Sequence, residues 1–118
     1  MNTTVIDDMK SNGSGSIINI TTPGGKATAG GSQPTSLSRA AGISLTKAWS
    51  KEYAAQNIRV NTVSPGFVET DMLATVPADL LAGIKDEIPL GRFGYPDEVA
   101  LAVLYPVSYT HLTLPTKA

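Results

Sequence analysis

Two short apolar runs, Ser16–Thr21 (SIINIT) and Ile58–Val63 (IRVNTV), flank a long helical pattern, and that spacing leaves this chain few folds. Both runs are rich in β-branched residues, as strands are. Strands joined through a helix of this length lie parallel, in a right-handed βαβ unit. Residues 35–56 supply the helix. Pro34, Thr35 and Ser36 form its start, because threonine and serine oxygens accept from the orphan N–H groups of a first turn. Leu37, Ala41, Leu45 and Ala48 recur at helical spacing and share one face. Ala40, Gly42 and Ser44 are small and let the helix lie close to what it packs on. Gln56-Asn57 ends it, asparagine being tolerant of the left-handed cap position. Beyond the second strand Ser64-Pro65-Gly66 breaks the ladder, since proline has no N–H to donate.

The remaining elements are shorter. Val5 and Met9 share a helical face, so residues 1–10 read as the last turns of a helix ending at Asn12-Gly13. Thr22–Gln33 contains Gly24, Gly25, Gly30 and Gly31 but neither GxxxxGK[ST] nor GxGxxG, so it reads as a strand-to-helix connection and not a phosphate loop. Residues 77–85 form a short helix, with proline at its first position, an early Asp79, and Pro89 beyond its end. Gly91, Gly94 and Pro96 punctuate a turn, and Pro96-Asp97-Glu98 opens a last helix through about Leu104.

Composition narrows the chemistry. The 118 residues suit one domain at most, and 42% hydrophobic with 16% charged residues is a globular balance. The absence of cysteine excludes disulfides, thiol catalysis and zinc–cysteine sites. A single histidine, His111, rules out multi-histidine metal sites, and no metal is expected. A formal charge of −1 gives no reason to expect nucleic acid or an anionic membrane as partner. No apolar run approaches the ~18 residues of a membrane helix, and residues 1–10 lack the apolar core of a signal peptide. A cytoplasmic location is the default expectation.

Several segments in order, Ser16-Ile17-Ile18-Asn19-Ile20, Leu45-Thr46-Lys47-Ala48, Asn57-Ile58-Arg59-Val60-Asn61, Pro65–Met72 and Ile88–Gly94, carry a more specific signal. Together they resemble the second half of a short-chain dehydrogenase/reductase, close to the 3-oxoacyl-carrier-protein reductase branch, over residues 9–104. The resemblance implies an α/β fold: part of a Rossmann-like, doubly wound parallel sheet without its N-terminal half. Residues 1–105 would be the C-terminal half of such a reductase domain, and residues 106–118 resemble translated adaptor or vector sequence.

In open α/β sheets ligands bind beyond the carboxyl ends of the strands. Here that crevice gathers Thr22, Thr35, Arg39, Gly66, Val68 and Thr70. Pro65-Gly66 lets backbone approach a ligand closely, because glycine has no Cβ. By resemblance, Pro65, Gly66, Val68 and Thr70 belong to the cofactor site, with Val68 backbone and the Thr70 hydroxyl holding a nicotinamide carboxamide. The family's catalytic serine, tyrosine and lysine align with Thr22, Thr35 and Arg39, and all three are substituted. Thr22 keeps a hydroxyl that can donate to a carbonyl. Arg39 keeps the charge, though its fork differs from a lysine's point charge. Thr35 is the serious change, since an aliphatic hydroxyl lacks the acidity of a phenol. Tyr53 lies too far along the same helix to replace it, and Tyr95 precedes the last helix where the family closes over substrate. The run S–x–S–R–A–A–G–x–x–L–T–K also resembles a divergent subgroup lacking the usual tyrosine and lysine.

These features support three readings. The parent protein is an NAD(P)-dependent oxidoreductase acting on a carbonyl/alcohol pair, with a small-molecule carbonyl substrate. Alternatively it is an inactive cofactor-binding or oligomer-forming relative, or the chain is a truncated reading frame without function. The resemblance implies NAD or NADP for the parent and a homo-oligomer formed through helix 35–56. The family's pyrophosphate loop lies outside this chain, so tight cofactor binding by the chain itself is not expected, and an exposed sheet edge and apolar face are. Trp49 reads as packing or a subunit contact, Arg59 as a structural ion pair, and Glu69 and Asp71 as solvated or capping groups.

Overall fold

The computed structural model describes residues 3–23 and 33–108. Six main elements follow in order: α1 (Thr3–Asn12), β1 (Gly15–Ile20), α2 (Gln33–Glu52), β2 (Ile58–Val63), α3 (Ala78–Glu87) and α4 (Pro96–Ser108). Short 3₁₀ turns at Ala54–Gln56 and Asp71–Thr75 fill two of the connections. The expected βαβ unit is present: β1 and β2 pair in parallel, in a register running from Gly15 opposite Ile58 to Ile20 opposite Val63.

Alternation along the strands sorts the side chains into two faces. Ile17, Ile58 and Val60 lie on one face, and with Ile6 of α1 they build the core; Met9, Trp49 and Tyr53 close its edge. Ile6, Ile58 and Val60 are 3%, 1% and 1% exposed. Trp49 therefore packs internally, with its ring edge-on to Tyr53 at 5.9 Å between centroids. The opposite face carries Arg59, whose guanidinium reaches α4 and donates to the carbonyls of Pro106 and Val107. Helices thus cover both faces of the two-strand sheet.

Two connections are fixed by backbone chemistry. Gly13 adopts φ +76°. Around it Ser14 N–H bonds to Met9 O and Gly13 N–H to Lys10 O, the paired closure that ends a helix at a left-handed residue. Asn57 takes the same left-handed conformation before β2, at φ 60° and ψ 32°, and its side-chain amide donates to Gly13 O at 3.3 Å. The asparagine turn expected there is present, but α2 itself ends at Glu52 and a 3₁₀ turn covers residues 54–56.

Two expectations need correction, the small-residue approach of α2 and the end of α4. The stripe Leu37, Ala41 and Ala48 is turned to solvent: Leu37 is 74% exposed, and both alanines are exposed. Instead α2 docks through Ser36, Thr46 and Ser50, which are 6%, 3% and 4% exposed. Thr46 and Ser50 can be buried because their hydroxyls bond back to Gly42 O and Lys47 O of the same helix. Gly42 makes the close approach: a Cβ built there would sit 3.4 Å from Thr21 Cγ2, whereas Ala40 and Ser44 are exposed. Second, α4 does not stop near Leu104 but continues through Pro106 to Ser108. Arg59, in addition, caps the carbonyl end of α4, where orphan acceptors and the helix dipole favour a cation. His111 and the rest of residues 109–118 lie outside the described residues, as do Gly24–Gly31.

Candidate functional site

The carboxyl ends of β1 and β2 meet side by side. Thr21 N–H donates to Val63 O at 2.9 Å, continuing the ladder one step past β1. Pro65 then ends the strand pairing, and the chain turns out over α4. There Val68 forms a parallel bridge with Gly94. Gly94 N–H donates to Phe67 O at 2.9 Å, and Glu69 N–H donates to Gly94 O at 2.7 Å. These two bonds flank Val68, so its own N–H and C=O point away from Gly94. Neither group makes a hydrogen bond among the described residues. Val68 therefore offers a donor and an acceptor on one free edge.

Below this edge lies a groove of about 590 Å³. Pro23, Val63, Pro65, Phe67, Val68, Ile88, Leu90, Val99 and Ala102 give it a mainly apolar wall, with Ser64 at the strand end and Arg92 and Glu98 at the far side. Among the described residues, a Cβ built on Gly66 would meet nothing within 4 Å, so the backbone there is open to an approaching ligand.

The residues expected at the site are only partly gathered. Pro65, Gly66 and Val68 line the groove. Thr22 is half-buried immediately after Thr21, while Thr35 and Arg39 are exposed on the first turns of α2. Thr22, Thr35, Arg39 and Thr70 are not part of the groove wall. Thr70 is extended, at φ −139° and ψ 171°, and its hydroxyl makes no capping bond to the 3₁₀ turn that follows. Glu69 and Asp71 are exposed, as solvated loop acids should be. Tyr95 is 49% exposed, and its ring lies 5.0 Å from the Arg92 guanidinium.

The sequence reading missed two arrangements. One is the Arg92–Glu98 pair, which joins the turn to α4 through bonds of 3.1 and 2.7 Å. Glu98 also accepts from Tyr95 N–H at 2.7 Å, the reach-back of an acid three residues into a helix. The Arg92 hydrogen bonds, with help from that backbone N–H, hold the Glu98 carboxyl down at about 2. Pro96-Asp97-Glu98 showed the helix start, but nothing local pointed Glu98 at Arg92. The other is a chain of hydroxyls across the strand ends. Thr21 Oγ1 lies 3.0 Å from Thr62 Oγ1 and 2.6 Å from Ser64 Oγ. Thr62 in turn donates to Asn19 O at 2.9 Å, and Asn19 donates to Thr46 Oγ1 at 2.9 Å. Only the strand register brings these residues together.

No cluster among the described residues has the acidic, histidine or cysteine donors of a metal site, and no helix among them is long and apolar enough to cross a membrane.

Comparison with known proteins agrees with this architecture. A family model described as enoyl-(acyl carrier protein) reductase matches residues 1–110. The chain is 44% identical over 94 residues to the 3-oxoacyl-[acyl-carrier-protein] reductase FabG of Thermotoga maritima, covering 80% of this chain and 38% of that protein. It is 37% identical over 100 residues to the cis-4-hydroxycyclohexanecarboxylate dehydrogenase of Sinomonas cyclohexanicum, covering 85% and 40%. It is 41% identical over 99 residues to carbonyl reductase family member 4 of Xenopus laevis, covering 84% and 41%. The chain thus spans about two-fifths of the length of these relatives. The chain belongs to the short-chain dehydrogenase/reductase family of NAD(P)-dependent oxidoreductases, and within it is 3-oxoacyl-carrier-protein reductase-like.

Proposed function

We propose that the protein carrying this chain binds NAD or NADP and interconverts a ketone and a secondary alcohol on a small molecule. The observation that carries this reading is the free backbone edge of Val68. A carboxamide presents one acceptor and N–H donors in a plane, which complement one N–H and one C=O on an extended residue. The Thr70 hydroxyl, uncommitted to its own turn, and the open backbone at Gly66 suit the same group. When bound, the nicotinamide supplies or accepts the hydride. The names of the relatives, a 3-oxoacyl reductase and a cyclic-alcohol dehydrogenase, suggest the carbonyl/alcohol pair. The apolar wall from Phe67 to Leu90 suits its hydrocarbon part.

Thr22 donates to the carbonyl oxygen, and Arg39 stabilises negative charge developing on it. Thr35 cannot act as a phenol would, because its hydroxyl ionises far above the working pH. That substitution favours a second reading, a relative that holds cofactor without turnover. The exposed stripe of Leu37, Ala41 and Ala48 on α2 supports a subunit interface, so the protein is proposed to be a homo-oligomer through this helix.

The full-length protein should be titrated with NADPH and NADH, then assayed with ketones and 3-oxoacyl thioesters. Turnover that falls in Arg39→Ala supports catalysis by the threonine–arginine arrangement. Cofactor binding without turnover, relieved by Thr35→Tyr with Arg39→Lys, supports the second reading. No cofactor binding, or binding indifferent to Thr70→Val, overturns the Val68–Thr70 assignment.

A further inference from the structure

We infer that Ser64 is a specificity residue at the groove, where it accepts a hydrogen bond from an O–H or N–H of the bound molecule and does not donate one. Thr62 Oγ1 donates to a carbonyl, Asn19 O, so its single proton is spent. At the 3.0 Å contact with Thr21 it must therefore accept, and Thr21 must donate. Thr21 then has no proton left for its 2.6 Å contact with Ser64, so Ser64 donates there. Ser64 lines the groove, and with its only proton committed to Thr21 its hydroxyl has only lone pairs left to offer a bound molecule. Thr21 is 3% exposed, so water does not compete readily for this chain, and the Asn19–Thr46 bond ties it to α2.

A hydroxyl fixed as an acceptor discriminates between the two members of a carbonyl/alcohol pair. An alcohol can donate to it; a ketone cannot, and sets two acceptors against each other. The inference rests on the groove being the substrate side of the proposed site, and it predicts that Ser64 favours the alcohol.

The test is binding, not turnover, so it is separable from the oxidoreductase reading. Cyclohexanol and cyclohexanone are titrated into the ¹⁵N-labelled 118-residue chain, and affinities are read from the amide shifts of Gly66, Val68 and Gly94. The quantity compared is the alcohol-to-ketone affinity ratio. One neutral hydrogen bond predicts a ratio about 3- to 10-fold lower in Ser64→Ala than in the unmodified chain. Thr21→Val removes the acceptor that holds the Ser64 proton, so Ser64 becomes able to donate, the ketone gains and the ratio falls. If buried Thr21 proves necessary for folding, Ser64→Ala, at an exposed site, decides alone. A ratio that moves less than about 2-fold in Ser64→Ala, or amide shifts at the groove from neither probe, overturns the inference. Loss of the effect with turnover retained in the full-length protein refutes the role of Ser64 alone; the effect without turnover refutes the reaction and leaves Ser64 standing.

Discussion

Replacing Ile58 with alanine tests whether the small core between the sheet and helices α1 and α2 holds this chain together. Ile58 is 1% exposed and packs with Ile6 and Val60. The substitution removes three carbons, worth about 2.4 kcal/mol at ~0.8 kcal/mol per buried methylene. A cavity term adds to this, which is why such changes span about 2–5 kcal/mol. Here Met9 stands at the edge of the cluster and is flexible enough to fill part of the void. The expected loss is therefore about 3 kcal/mol, a large share of the ~5–15 kcal/mol typical of a domain. Trp49 is the single tryptophan and sits against the same cluster, so its fluorescence reports the transition directly. In urea the midpoint should fall by about 1–3 M for a slope of about 1–3 kcal/mol per molar. Leu101→Ala, at a residue 66% exposed, should change stability by less than about 0.5 kcal/mol. A loss below about 1 kcal/mol at Ile58 would refute the assignment of the core to this face.

Three further outcomes follow from the same geometry. Glu98 is held well below its ordinary 4.5, near 2, so the support it gives the turn and α4 is present above about 4.5 and is lost as pH falls toward 2; its carboxyl carbon shift should titrate in that low range, and Glu98→Gln should remove the acid-induced loosening of residues 91–98. Gly15→Ala should be destabilising, because the new Cβ would lie 2.6 Å from Met9 Cγ and 2.8 Å from Met9 Cβ, too near the backbone for a rotamer change to relieve; a urea midpoint equal to that of the unmodified chain would refute it. Arg59→Ala leaves the last carbonyls of α4 without their cation, so amide exchange in residues 103–108 should accelerate while that of β1 is unchanged.

The elements of this chain were legible because each carries its own periodicity or punctuation. β2 falls where its β-branched run predicted, at Ile58–Val63, and the left-handed residue before it is the asparagine expected. The parallel pairing was legible too, since a helix of this length between two strands permits nothing simpler. The docking face of α2 was not legible. Apolar spacing put Leu37, Ala41, Leu45 and Ala48 on one face without a packing partner, and of the small residues named for close approach only Gly42 makes it. Hydroxyl residues that bond to their own backbone allow that at little cost in buried polarity. The apolar stripe was real and faces away from this sheet.

The site divides along the same line. Pro65-Gly66 marked the end of the strand in sequence, and with Val68 it lines the groove, whereas Thr70 does not. The free edge of Val68 needed Gly94, which comes 26 residues later in the chain and supplies the bridge that turns the Val68 amide outward. The hydroxyl chain is more remote still. Thr21, Thr62 and Ser64 are unremarkable residues separately, and their proton order exists only because the register sets Asn19 opposite Thr62. A one-residue slip of β2 would carry Thr62 to the other face of the sheet and undo it. In the proposed site, substitution at positions 22, 35 and 39 changes what can be donated, whereas the strand register determines what can be accepted. Ser64 belongs to the second class, so its preference should survive restoration of tyrosine and lysine at positions 35 and 39.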